Sequence, residues 1–290
     1  MQLFYCFVYS VLMVYAKKSL GQNFLKNEGV LAKIAAAGNL SSKDTVLEIG
    51  PGHGALTKHL LASGATVIAI EKDNTLADEL KTTFAKEIKS KKFILIHGDA
   101  LDETILFDPV RNPSYKLLAT SYKIVANIPY NITGAFFRMY LGATNPPTDM
   151  VVLIQEEVAD RIIARNKKES ILSIAVKAYG APEKLFKVSP GSFVPAPKVT
   201  SAVIHIHNIS KTNFKKADEK LFFEILRAGF AHKRKMLVGN LSELFSKEVI
   251  ARVFMEAKLP IKTRAEDVSL TTWLTLTSLF THTTTQKVIG

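Results

Sequence analysis

The 290 residues of this chain, 47% of them hydrophobic, are enough for one α/β domain and a smaller second domain, and they exclude a wholly disordered protein. Lys and Arg number 38 against 26 Asp and Glu, and the resulting net charge of +12 favours a polyanionic partner such as nucleic acid. The single cysteine, Cys6, excludes an intramolecular disulfide framework and makes a structural metal site unexpected, and it indicates a reducing, cytoplasmic compartment.

Residues 1–16 form an apolar, uncharged segment that resembles a membrane anchor or signal peptide only superficially. The segment is shorter than the ~20 residues that a spanning helix needs. Its nearest positive charges, Lys17 and Lys18, follow the apolar run, whereas a signal peptide carries them before it. We interpret residues 1–16 as an N-terminal extension, or as chain that precedes a start at Met13, and we expect no membrane association.

From residue 28 to residue 208, short apolar runs alternate with amphipathic stretches, which is typical of a doubly wound α/β sheet. The apolar runs predict strands at 45–49, 66–71, 93–97, 123–126 and 150–155. Helices are predicted at 30–37, 56–62, 75–86, 135–141 and 157–164. Two later extended runs, 184–188 and 200–207, are joined by a proline-rich turn and predict one antiparallel strand in an otherwise parallel sheet.

The strand signals stop near Ala217, and helical periodicity predicts a small C-terminal helical domain. Its predicted helices are 221–230, 242–245, 247–257 and 271–280. The lysine-rich segment 208–216 is the best boundary, so we predict an α/β domain at 17–208 and a helical domain at 209–290. The second domain carries 14 basic and 8 acidic residues, which makes it the more basic by density.

A glycine-rich turn follows the first predicted strand, as Gly50-Pro51-Gly52-His53-Gly54. Such a turn lets the backbone approach a ligand closely and directs the next helix N-terminus toward it. Gly50, Gly52 and Ala55 also satisfy the dinucleotide fingerprint, so the turn alone does not separate NAD from S-adenosylmethionine.

Acidic residues end the next two predicted strands, Glu71 after the second and Asp99 after the third. A carboxylate at the first position can accept both ribose hydroxyls, and one at the second can accept a hydrogen bond from an adenine amine. Either residue could instead cap a helix. Together with Gly50, they line the carboxyl edge of the sheet, where ligands bind in open α/β folds.

The fourth predicted strand ends in Asn127-Ile128-Pro129-Tyr130, a pattern suited to methylation of a ring amine. The Asn127 side chain and the Ile128 backbone each offer a carbonyl oxygen to the two amine protons, and Pro129 stiffens the turn. Tyr130 offers a ring for an extruded base to stack against. An ordinary Asn-x-Pro turn with a core tyrosine is the alternative.

These motifs resemble the family of ribosomal RNA adenine dimethyltransferases of the KsgA group, and more distantly the Erm methyltransferases. The matching segments run in family order over residues of about 17 to 280: Gly21–Leu25, Glu48–Thr57, Asn127–Asn131, Phe193–Val199, Phe230–Leu237 and Arg264–Asp267. The sequence departs from the family pattern in two segments. Residues 166–173 look shorter than the corresponding family segment, and residues 107–122 look longer.

The resemblance implies a Rossmann-like methyltransferase sheet that binds S-adenosylmethionine. It implies that Asn23 and Leu25 join Gly50, Gly52, Glu71, Asp99 and Asn127 in contacting this cofactor. Phe193 is implied to lie near the target base opposite Tyr130, although it could equally anchor a proline-rich loop in the core.

The implied reaction is dimethylation of N6 of two adjacent adenosines in the 3′-terminal hairpin loop of small-subunit rRNA, within a pre-30S particle. We expect a monomer, with the basic runs at 89–92, 161–168 and 233–235 contacting phosphates. Three alternatives remain open: an Erm-type enzyme acting on large-subunit rRNA, a non-catalytic ribosome assembly or nucleic-acid-binding factor, and a nicotinamide-dependent dehydrogenase.

Overall fold

The structure is a computed structural model that describes residues 22–102, 104–105, 118–215 and 217–285. The predicted N-terminal extension, residues 1–16, lies outside the described residues, as does most of the long segment 107–122. The strands are β1 (Phe24–Leu25), β2 (Thr45–Ile49), β3 (Thr66–Glu71), β4 (Phe93–His97), β5 (Lys123–Asn127), β6 (Asp149–Gln155), β7 (Ala181–Val188), β8 (Phe193–Val194) and β9 (Ser201–His207).

Helices connect these strands and make up the C-terminal part of the described chain. The α-helices are α1 (Glu28–Ala37), α2 (Ala55–Ala62), α3 (Asn74–Thr83), α4 (Ala85–Lys89), α5 (Thr133–Gly142), α6 (Glu156–Ile162), α7 (Ile171–Lys177), α8 (Glu219–Gly229), α9 (Leu237–Leu241), α10 (Lys247–Glu256) and α11 (Leu270–Thr285). Short 3₁₀ helices lie at Tyr130–Ile132, Pro190–Ser192, Thr212–Lys215 and Ala265–Asp267.

Seven strands form one mostly parallel sheet in the order β4-β3-β2-β5-β6-β9-β7. The pairs β2 with β3, β3 with β4 and β2 with β5 are parallel. The chain passes from β2 outward through β3 and β4 and then returns to place β5 on the other side of β2. This reversal creates a switch point between β2 and β5, which is where open α/β sheets bind ligands. The predicted α/β fold class is confirmed.

The chain folds into two compact units. Unit 1 comprises residues 1–133, 151–154 and 187–201, and unit 2 comprises residues 134–150, 155–186 and 202–290. Both units therefore draw on several stretches of the chain. The predicted division into residues 17–208 and 209–290 stays a prediction, although the described part of 209–290 contains helices and no strand.

The core of unit 1 includes the apolar residues of the predicted strands. Val46 and Leu47 in β2, Val67 in β3 and Ile124 in β5 are fully buried. Parallel strands are covered on both faces, which explains why these runs are continuously apolar and do not alternate. The sheet can therefore hold its carboxyl edge in a fixed geometry.

Aromatic stacking organises the C-terminal helices of unit 2. Phe230 stacks on Trp273 with ring centroids 5.8 Å apart, and Phe245 stacks on Phe280 at 4.0 Å. The predicted helix at 242–245 is wrong, because α9 ends at Leu241 and residues 242–244 form turns only. Leu237 and Leu241 are both fully buried at the i, i+4 spacing of one helix face, so they fill the core one turn earlier than the pattern suggested.

Two small features were missed in the sequence. The strands β1 and β8 are only two residues long, too short for a periodic pattern, and they pair antiparallel. Helix α7 begins in the atypical segment 166–173, where Ser170 and Ser173 form a reciprocal capping box. Serine at both positions is a weaker signal than the usual Ser-x-x-Glu pattern.

The Gly54→Ala substitution tests the glycine turn that starts α2. Gly54 has a φ of +77°, and a Cβ there would overlap the Phe84 ring. We expect a loss of roughly 1–3 kcal/mol in the free energy of unfolding, because the left-handed backbone and the overpacking both oppose alanine. Urea denaturation followed by circular dichroism measures it.

The matched control is Gly134→Ala, because a Cβ at Gly134 in α5 meets nothing within 4 Å. Alanine is the better helix former, so this variant should be neutral or more stable by about 0.5–1 kcal/mol. Equal urea midpoints for the two variants would contradict the packing described around Gly54.

Candidate functional site

A cavity of about 220 Å³ in unit 1 lies where β2, β3 and β5 end at the switch point. Its lining includes ten of the eleven residues that the sequence predicted for the site, all except Phe193. These ten are Asn23, Leu25, Gly50, Gly52, Glu71, Asp99, Asn127, Ile128, Pro129 and Tyr130. Residues from five separate stretches of the chain thus converge on one cavity.

The backbone N–H groups of the three glycines in the glycine turn all donate hydrogen bonds within the protein. Gly50, Gly52 and Gly54 all have positive φ angles, of 63°, 61° and 77°. Their N–H groups donate to Ile70 O, to Glu71 Oε2 and to Pro51 O, respectively. A dinucleotide site uses such amides to bind pyrophosphate. The turn is therefore better suited to a ligand without phosphate groups, such as S-adenosylmethionine, than to NAD.

The Glu71 carboxylate ties the glycine turn to the end of β3. Its Oε2 accepts from Gly52 N at 3.1 Å and its Oε1 from Asp73 N at 2.8 Å. Burial raises the pKa of Glu71, while these two backbone hydrogen bonds favour the ionised form. Each oxygen retains a second lone pair, so the predicted contact with ribose hydroxyls stays a prediction that this geometry permits.

Asp99 lies two residues beyond β4 and pairs with Lys72, a residue that the sequence analysis missed. Lys72 Nζ donates to Asp99 Oδ2 at 2.7 Å, and Leu101 N donates to Oδ1 at 2.9 Å. The hydrogen bond from Lys72 is the largest cause of a lowered Asp99 pKa. Asp99 is therefore an ionised hydrogen-bond acceptor at neutral pH.

The short pair of β1 with β8 brings residues 22–25 to the cavity. The Phe24 ring lies 4.5 Å from the His53 ring, between centroids, and a Cβ on Gly52 would be 3.0 Å from Phe24 Cδ1. Phe24 therefore covers the glycine turn closely enough to require glycine there. Asn23 and Leu25 were predicted from the sequence, whereas Phe24 between them was missed.

Phe193 is placed across from Leu25 in the β1–β8 pair. Only 2% of its surface is exposed, and it does not line the cavity. Among the described residues, Phe193 and Tyr130 form no ring pair. Its predicted role beside the target base stays a prediction, and in this structure it supports the strand that carries Leu25.

The Asn127 side chain has a defined orientation at the end of β5. Its Nδ2 donates to the Asn23 backbone carbonyl at 3.3 Å, which leaves Oδ1 as the acceptor on the other branch of the amide. Ile128 N donates to Leu153 O of β6 at 3.3 Å, and Pro129 O accepts from Ile132 N at 3.2 Å. The chain therefore turns sharply after β5, and residues 127–130 all line the cavity.

A third carboxyl group, Glu48, lines the cavity and was not predicted from the sequence as a titrating residue. It is 1% exposed, and the Thr57 hydroxyl donates to its Oε2 at 2.6 Å. Burial, reinforced by the charge of Glu71, raises the pKa of Glu48 from 4.5 to about 8. Glu48 is consequently a neutral carboxylic acid at pH 7.

Two of the three predicted basic runs meet in a groove of about 860 Å³ in unit 2. The basic residues in its lining are Arg161, Arg165, Lys168, Lys233 and Lys235, with His232 beside them. Lys168 pairs with Asp267 and Arg165 with Asp160, whereas no ion pair of Arg161, Lys233 or Lys235 is found among the described residues. These three side chains are the groove cations most available to an external anion.

Two negative observations concern the described residues only. No group of three or more His, Cys, Asp or Glu side chains among them is arranged to hold a metal ion. None of their helices is both long enough and apolar enough to span a bilayer.

Comparison with known proteins identifies relatives over nearly the whole chain. The family described as Ribosomal RNA adenine dimethylase matches residues 13–282. Ribosomal RNA small subunit methyltransferase A of Dehalococcoides mccartyi is 40% identical over 263 residues, which are 89% of this chain and 86% of that protein. The protein of the same name from Thermosynechococcus vestitus is 36% identical over 274 residues, or 92% and 97% of the two chains. The resemblance predicted from the motifs is confirmed.

Solved structures agree on the fold. A dimethyladenosine transferase from Plasmodium falciparum superposes with a TM-score of 0.74 at 26% identity, covering 89% of this chain and 98% of that one. The 23S rRNA methyltransferase ErmE superposes with a TM-score of 0.66 at 22% identity, covering 89% and 99%. At that identity, the likeness to ErmE bears on the fold alone.

The Glu48→Gln substitution tests the protonation state of the buried carboxyl group. Between 4.5 and about 8, the folded chain holds a proton on Glu48 that the unfolded chain has released. The free energy of unfolding should therefore fall as pH rises through this window, by up to ~1.4 kcal/mol per pH unit for this group. Glutamine cannot ionise, so the variant should show a shallower decline in urea denaturation from pH 5 to 8.

Glu183→Gln, at an exposed position in β7, is the control and should follow the wild-type pH dependence. Parallel curves for wild type and Glu48→Gln would mean that Glu48 is already ionised in the folded protein.

Proposed function

Because the chain belongs to the ribosomal RNA adenine dimethylase family, we propose that it dimethylates N6 of two adjacent adenosines in the 3′-terminal hairpin loop of small-subunit (16S) rRNA during ribosome biogenesis. The chain is an rRNA methyltransferase, and its methyl donor is S-adenosylmethionine. The observation that carries the proposal is the placement of Asn127–Tyr130 at the switch point, in one cavity with Gly50, Glu71 and Asp99.

The cavity fits this cofactor on three counts. The three glycine amides of the turn are satisfied internally, so no phosphate is required to complete them. Glu71 and Asp99 lie at the ends of neighbouring strands, as acceptors for ribose and adenine groups. Leu76 and Ala100 add apolar walls beside Asp99 for a flat ring. S-adenosylmethionine, when bound, supplies a methyl group made electrophilic by its positively charged sulfur.

The residues that follow β5 act on the adenine. Its N6 is a poor nucleophile because the lone pair is delocalised into the ring. Asn127 Oδ1 and the Ile128 carbonyl accept hydrogen bonds from the two N6 protons, which draws N6 toward a tetrahedral geometry and localises the lone pair. Tyr130 stacks on the extruded base and orients N6 for in-line attack. No side-chain base is needed, because the methylated nitrogen can lose its proton to water afterwards.

The groove of unit 2 is the proposed contact for the rRNA backbone, chiefly through Lys233 and Lys235. RNA shape, not a base-edge code, would set where the enzyme docks. We propose that the substrate is presented in a pre-30S particle, that the enzyme acts as a monomer, and that it works in the cytoplasm. The identity of 36–40% to small-subunit methyltransferases supports this substrate over large-subunit rRNA.

The Asn127→Ala substitution tests the reaction directly. Alanine removes the Oδ1 acceptor, whose hydrogen bond to N6 is strongest in the transition state, where the lone pair is localised. The rate of methyl transfer should therefore fall by about 100-fold or more. Transfer of label from methyl-labelled cofactor to immature 30S particles measures it. The affinity for S-adenosylmethionine, measured by calorimetry, should fall only partly, because the other cavity contacts remain.

Asn213→Ala is the matched control, because Asn213 Nδ2 also donates to a backbone carbonyl, that of Ala178, but does so in unit 2. This variant should keep the wild-type rate. Label transfer by Asn127→Ala at the wild-type rate would refute the assigned role. Label found in large-subunit rRNA would favour an Erm-type enzyme, and a wild-type protein that binds no S-adenosylmethionine would favour a non-catalytic factor.

The double substitution Lys233→Ala/Lys235→Ala tests the groove. Loss of two phosphate contacts should weaken binding to rRNA and reduce the slope of log affinity against log salt by roughly 1.5 to 2. Filter binding over a range of KCl concentrations measures both quantities. Lys262→Ala, at an exposed lysine outside the groove lining, should leave the slope unchanged, and an unchanged slope in the double variant would contradict the assignment.

A further inference from the structure

We propose that Ser201 is a positioning residue that fixes the Tyr130 ring for catalysis. The Tyr130 hydroxyl and the Ser201 Oγ share a hydrogen bond of 2.6 Å. The two residues are 71 positions apart in the sequence, and both belong to unit 1. The inference rests on the proposed adenine methylation, and it adds to the reaction a residue that does not touch the cavity.

Ser201 has the properties of a rigid anchor. It is the first residue of β9, and its exposed fraction is 0%. A side chain on a buried strand end has little freedom to move, and a buried hydroxyl requires a partner. Tyr130, by contrast, lines the cavity and is only partly buried. The hydrogen bond therefore joins a fixed residue to one that faces the ligand.

Tyr130 is held at both of its ends. Its backbone carbonyl accepts from the Thr133 hydroxyl at 3.0 Å within the turn that follows β5. A tyrosine side chain has only two rotatable torsions. With the backbone held by Thr133 and the phenolic tip held by Ser201, the ring plane between them is defined before any base arrives.

A predefined ring plane matters because transfer to N6 depends on orientation. A base stacked on a ring that can rotate would spend less time with N6 in line for attack, and misorientation lowers the rate without weakening cofactor binding. Ser201 does not line the cavity, so it has no direct contact to offer the cofactor. Its loss should lower kcat and leave the KM for S-adenosylmethionine unchanged.

The experiment compares Ser201→Ala, Tyr130→Phe and the double variant in the full-length chain with immature 30S particles as substrate. Each single change deletes the same hydrogen bond and should lower kcat by roughly 3- to 10-fold, the fold-change of one hydrogen bond. The double variant should be no slower than the slower single variant. Ser63→Ala is the control, because it removes another 2.6 Å hydroxyl hydrogen bond of unit 1 away from the cavity lining, and it should keep the wild-type kcat.

If Ser201 has only a structural role, Ser201→Ala should lower the melting temperature and raise the KM for S-adenosylmethionine. Its effect on kcat should then add to that of Tyr130→Phe in the double variant. That pattern would overturn the proposal. A wild-type kcat in Ser201→Ala would also overturn it, whereas absence of transfer by the wild type would count against the proposed function itself.

Discussion

The hydrogen bond from the Asn127 side chain to the Asn23 backbone carbonyl is the contact on which the rest of the site depends. It fixes which branch of the amide can accept a hydrogen bond, and an acceptor is what a ring amine needs in order to become nucleophilic. The same bond joins the end of β5 to the segment that lies against the glycine turn. One contact therefore links the proposed place of methyl transfer to the proposed place of cofactor binding.

The cofactor side of the site depends on two buried carboxyl groups. Two backbone amides donate to Glu71, which holds the glycine turn against β3, while burial raises its pKa. Glu48 lies in the same cavity wall, and burial raises its pKa to about 8. A proton on Glu48 avoids repulsion between the two carboxyl groups, and we propose Glu71 as the acceptor for ribose hydroxyls.

Much of the fold and the site could be predicted from the sequence, because the strongest signals are local. Apolar runs mark strands that are covered on both faces, and the residues at their carboxyl ends must meet at one edge of the sheet. Gly50, Glu71, Asp99 and Asn127 could therefore be placed together from the sequence alone. The missed contacts of the site join residues that are distant in the sequence. Neither the position of Phe24 over Gly52 nor the bond of Tyr130 to Ser201 leaves a periodic trace.

Phe193 shows where a resemblance and a structure give different kinds of information. The resemblance implied an aromatic ring near the target base, whereas the structure has Phe193 buried beside Leu25, outside the cavity lining.

The domain boundary is a second case in which a local pattern and the folded chain give different information. The lysine-rich segment at 208–216 is a sound compositional signal, but the compact units draw on interleaved stretches of chain that no local pattern can reveal.

The most direct test of the central claim is mass spectrometry of small-subunit rRNA from a strain that lacks this gene, with and without the gene restored. The account predicts two adjacent adenosines near the 3′ end that are unmethylated in the deletion strain and carry two N6-methyl groups each after complementation. Full dimethylation of both adenosines in the deletion strain, or their continued lack of methylation after complementation, would contradict it.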